Sequence, residues 1–109
     1  MTDRNATEAH RVTTGWVVGV LIETAELPSP QRRFFIVAHA DQGRAEWAAV
    51  DCAMLEGPVA ASPSGGLEPV QAIRVVSAAG LKSIGLLSGG ARALGPRLPR
   101  RWMGQATVG

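Results

Sequence analysis

Two apolar runs separated by a pair of prolines constrain this chain more than anything else in it. Trp16 to Thr24 (WVVGVLIET) is rich in β-branched residues and too short for a stable amphipathic helix, so it reads as a strand. Gly19 inside it marks a bulge or a close backbone approach. Phe34 to Ala40 (FFIVAHA) is almost continuously apolar and reads as a second, central strand. Between them, Leu27-Pro28-Ser29-Pro30 forces a turn, because each proline removes a donor and biases its predecessor toward extended geometry. Pairing across that turn gives a hairpin.

The segment after the hairpin decides the fold class. Read as a helix, Asp41 to Leu55 is capped by the Asp41 carboxylate, which accepts from a free backbone N–H two or three residues on. Ala45, Ala48, Ala49 and Cys52 then line one stripe, small enough to let the helix lie close on a sheet, and Gly57-Pro58 ends it. Trp47, Val50 and Met54 form a second apolar stripe. Read as a strand, Asp41-Gln42-Gly43 becomes a hairpin turn and residues 44–54 pair with the second strand, which implies a mostly-β barrel. The helix is the preferred reading, since alanine favours helices and is depleted in strands.

The second half supplies shorter elements. Gly57 to Leu67 (GPVAASPSGGL) is a loop by composition, and Pro69 to Val76 alternates as a strand should. Ser77 to Leu86 carries a complete set of short-helix signals. Ser77 is the N-cap, Lys82 complements the dipole in the last turn, and Gly85 sits at the left-handed position past the end. Leu86 then folds back on Leu81. Ser88-Gly89-Gly90 is a turn, and Ala91 to Leu94 a short edge strand. The expected fold is α+β: one sheet of three to four strands carrying one longer and one short helix, with a ferredoxin-like element order. Residues 1–13 are expected to form a loose arm, 14–94 the globular domain and 95–109 a basic flexible tail.

Length and cysteine content agree with one domain. A chain of 109 residues can bury roughly two thirds of its unfolded surface, and a single cysteine excludes an intramolecular disulfide scaffold. The opening MTDRNATEAHR lacks the basic and apolar regions of a secretory signal, and no apolar run reaches the roughly 18 residues of a membrane span. A cytoplasmic location without membrane contact is the expectation. The Asn5-Ala6-Thr7 sequon then carries no weight.

No set of residues converges on a chemistry. His39, Asp41 and Cys52 are the residue types of a base, an orienting carboxylate and a nucleophile, but each has a plainer role as strand end, helix cap and small core residue. Burial within the alanine stripe would raise the Cys52 thiol pKa and leave it inert. His10, His39 and scattered carboxylates show no metal-ligand spacing. The glycine stretches Ser62–Gly66 and Gly85–Gly90 lack both the Gly-Lys-Ser/Thr of a P-loop and the GxGxxG pattern. Neither an enzyme nor a cofactor is implied.

The charge distribution is more informative. The net +2 divides into −4 through Glu68, where five arginines meet all nine acids, and +6 from Pro69 onward, where six cations meet none. Ten of the eleven cations are arginine, a bias that a GC-rich coding genome also produces, so it is not counted toward phosphate recognition. Arg92, Arg97, Arg100, Arg101 and Trp102 are the candidate binding residues: guanidiniums to meet phosphates or carboxylates, an indole to stack or to fill an apolar groove. Arg32-Arg33 would extend this patch if the fold brought them near. Trp16 and Trp47 occupy core-like positions. The leading expectation is a non-enzymatic module for protein interaction or self-association, through an open sheet edge or the tail. Nucleic-acid binding is the alternative, and a small ligand-binding or enzymatic domain the third.

Overall fold

The computed structural model describes residues 13–98. Most of the expected N-terminal arm, and the expected tail from residue 99 on, lie outside the described residues. The element order is β1 (Gly15–Ile22), β2 (Gln31–Val37), α1 (Gln42–Ala53), β3 (Val70–Val76), α2 (Ala78–Ser83) and β4 (Ala91–Gly95). All four strands pair antiparallel in one open sheet of order β3-β1-β2-β4. The α+β class holds, and the helix at 42–53 removes the barrel alternative. A ferredoxin-like order is not confirmed, since β1 and β2 are joined directly and form the middle of the sheet, with each helix leading to an outer strand.

The hairpin forms in the register Trp16↔Val37 through Ile22↔Gln31. β2 begins at Gln31, three residues before the apolar run, and stops at Val37. Polar Gln31, Arg32 and Arg33 pair with Ile22, Leu21 and Val20 directly after Pro30, so the proline that ends the eight-residue connection, rather than hydropathy, sets where the strand starts. Asp41 caps α1, its carboxylate accepting from the Arg44 N–H at 2.8 Å.

Alternation then divides the core into two layers. On one face Val18, Val20, Ile22, Phe35 and Val37 pack against Ala45, Ala49 and Ala53 of α1. On the other, Val17, Phe34, Ile36, Ala38 and Val76 pack against Leu81 and Leu86 around α2. Each fully buried aliphatic or aromatic side chain here contributes about 1.5–3 kcal/mol.

α2 ends as its sequence requires. Ser77 accepts from the Gly80 N–H at 3.0 Å, Gly85 takes φ +72°, and the Gly85 and Leu86 N–H groups donate to Lys82 and Leu81 carbonyls at 3.0 and 3.1 Å. That is a Schellman ending, with Leu81 and Leu86 in the same cluster. The face that α2 leaves uncovered is roofed by Arg32. Its guanidinium lies over Gly19, 5.1 Å from the Phe34 ring centre, and donates to Gln71 Oε1 at 3.3 Å. A Cβ at Gly19 would come within 2.6 Å of Arg32 Nε, which identifies the close approach implied by that glycine.

Candidate functional site

Exposed apolar residues gather on and just after α1, next to Val70 at the start of β3. Ala45, Ala49 and Ala53 seat the helix close on the sheet, and their small size turns the neighbouring stripe outward. Trp47 is 73% exposed, Met54 62% and Leu55 87%. Trp47 is therefore not a core residue as its sequence context suggests. The smaller alanine stripe takes the buried position because it allows the closer helix-to-sheet approach.

Glu46, Trp47, Val50 and Val70 line a concavity of about 270 Å³, and Val50, Met54, Gly57, Pro58 and Val59 a second of about 560 Å³. Val70, at the start of β3, is the strand's one contribution to this lining; the outer side of β3 pairs with no described strand, and its Val75 is 53% exposed. Clustered apolar exposure of this kind marks contact surfaces, and an unpaired strand adds a row of free backbone donors and acceptors.

The arginines singled out by charge do not form one cluster among the described residues. Arg92 Nη1 donates to the Ile84 carbonyl at 2.9 Å, closing the end of α2, so its guanidinium has a structural partner. Arg97 is exposed just beyond β4. Leu98 packs against the α2-side core. Arg100, Arg101 and Trp102 lie outside the described residues. Arg32 and Arg33 point to opposite faces, as neighbours in a strand must. Arg32 spans Gly19, and Arg33 lies 3.7 Å from Glu56 on the α1 side. They do not extend the patch as a pair.

The catalytic constellation separates. Asp41 caps the start of α1 and Cys52 sits near its end, about 16 Å apart along the axis at 1.5 Å per residue. Burial pushes the Cys52 thiol up, with the Glu56 charge adding to it, so the thiol stays protonated near neutral pH. No group of three His, Cys, Asp or Glu side chains among the described residues is placed to hold a metal ion. Gly65 and Gly66, with φ +59° and +81°, form a tight turn closed by reciprocal Ser64–Leu67 backbone bonds of 3.0 Å. No described helix is long and apolar enough to cross a membrane.

The α1–β3 groove was missed at the sequence level. Its only sequence signal was the second apolar stripe of α1, Trp47–Val50–Met54, which a single-sided helix does not need. No family model, no curated protein and no solved structure matches this chain.

Proposed function

We propose that this domain is a non-enzymatic protein-interaction module that receives an extended segment of a partner along the free edge of β3. An apolar side chain of that segment sits in the groove walled by Trp47 and Val50. The carrying observation is the juxtaposition of a strand edge that pairs with no described strand and a tryptophan that is 73% exposed. Backbone hydrogen bonds supply affinity in such strand addition, and the pocket for alternate side chains supplies selectivity. A synthetic extended peptide of alternating valine and threonine serves as probe in an NMR titration. Shifts confined to residues 70–76, Trp47 and Val50 are expected; shifts at β4 instead overturn the reading.

A second reading rests on charge. The 41 residues from Pro69 carry six cations and no acid, which suits an anionic partner such as nucleic acid. It predicts salt-dependent binding that Arg100→Ala with Arg101→Ala weakens. Absence of binding to short DNA and RNA at low salt removes it.

A further inference from the structure

We infer that the α2 side of the sheet is a contact surface for the phosphate backbone of nucleic acid, held by Arg74, Lys82 and Arg92. This deepens the charge reading of the proposed function, on which it rests, and moves its site from the end of the chain to the body of the domain. The fold sorts charge by face. The four strands and α2 carry five cations and no acid, and the acids within described elements, Glu46 and Asp51, are both on α1. Asp41 and Glu56 flank the same helix. Strand alternation sends Arg33 to the α1 side, where it meets Glu56 at 3.7 Å, and Arg32 to the other.

Arg74 lies opposite Val17, Val17 opposite Ile36, and Ile36 opposite Arg92, so the two arginines end one row that crosses all four strands. Val17 and Ile36 belong to the α2-side core, which puts both arginines on that side. Three strand spacings of about 4.8 Å set their backbones about 14 Å apart. α2 stands beside the row through Leu81, and Lys82 lies in its last turn. All three cations are exposed. Arg92 gives one guanidinium N–H to the Ile84 carbonyl and keeps the others for a ligand. Glu23, Glu26 and Glu68 stand in connections at the Ile22 end of the sheet, away from this row.

The spread of the cations selects the ligand. A single phosphate cannot touch groups about 14 Å apart, whereas a duplex carries one charge per about 1.7 Å of its axis and offers a separate phosphate to each. A protein partner would need an apolar centre to desolvate, and the exposed neighbours of Lys82 on α2 are Ala79 and Ser83. Side chains that small let a nucleic-acid backbone come close.

Fluorescence anisotropy of the full chain with a mixed-sequence DNA duplex, from about 50 mM salt upward, tests the surface. Three phosphate contacts contribute about −2.7 to the slope of log affinity against log salt. Arg74→Ala with Lys82→Ala should make that slope shallower by about 1.8 and weaken binding on the order of a hundredfold at about 50 mM salt. Arg33→Ala with Arg44→Ala removes the same charge from the α1 side and should change the slope little. Equal losses from the two pairs would make net charge the cause and overturn the surface. Loss with Arg100→Ala plus Arg101→Ala alone would overturn it while keeping the charge reading; no binding at low salt would remove both. Binding to phosphatidylserine vesicles with none to the duplex would also overturn it.

Discussion

β4 closes its side of the sheet in five residues, with a register shift at Phe34/Phe35, a guanidinium tied to the end of α2, and a glycine–proline pair beyond it. β3 runs seven residues on the opposite side, has valines at both ends, and lies beside an exposed indole. Both are edge strands carrying a bulge and one arginine, yet only one of them is blunted. On β4 the bulge, the charge and the short length all work against further pairing. β3 is the longer strand, and its Val70 and Val75 both lie on the α1 face, opposite Val20 and Trp16 of β1. Strand length and the neighbouring side chains, not the bulges, separate the two edges.

The contrast between the two edges can be attacked first at the centre of the sheet that joins them. Phe35 is fully buried and pairs with Val18 of β1 and Ala93 of β4. Phe35→Ala should cost about 3–5 kcal/mol in denaturant unfolding, and amide exchange should accelerate at both edges together. Loss confined to one edge would mean that the strands are not one cooperative unit. Next in size is Gly85→Ala. Nothing lies within 4 Å of the added Cβ, so the cost is that of φ +72° alone, about 1–2 kcal/mol. That substitution should loosen α2 and β4, through Leu86 and the Ile84 carbonyl that Arg92 caps, and should reach β3 only at its Ile73–Val76 end, which shares the α2-side core. Smallest is Trp47→Ala, within about 0.5 kcal/mol of the parent. A large loss there would put the indole in the fold's own packing and take it out of the contact surface. Cys52 offers a chemical check on α1. Because burial raises its pKa, alkylation should be slow at neutral pH and accelerate only as pH rises above the usual thiol range.

Local signals carried most of the fold. The Asp41 cap, the Ser77 cap and the Gly85-Leu86 ending act within a few residues, so each was readable where it stands. The hairpin was readable because its turn is dictated by Pro28 and Pro30. Strand order was not, since the placing of β3 and β4 on opposite sides depends on contacts between residues far apart in the chain. The exposure of Trp47 was hidden for a related reason. Hydropathy ranks tryptophan above alanine as a core residue, while the separation between α1 and the sheet is set by whichever stripe fits closer. Charge counting correctly found an asymmetry but could not assign its members, and Arg92 proved to be tied to a carbonyl of the same domain.

The sheet order also has a consequence in time. β1 and β2 are contiguous in the chain and lie in the middle, and later strands are laid outward, β3 beside β1 and then β4 beside β2. A polypeptide leaves the ribosome from its N-terminal end, so the centre of the sheet is available once Val37 has emerged. Each later strand meets a neighbour already in place, which shortens the search for non-local pairs. The vulnerable interval is the synthesis of residues 38–76, when β1 still offers the side that β3 will occupy. α1 emerges during that interval and covers the apolar face of the young hairpin, so its close-fitting alanines protect the nascent chain before they stabilise the finished one.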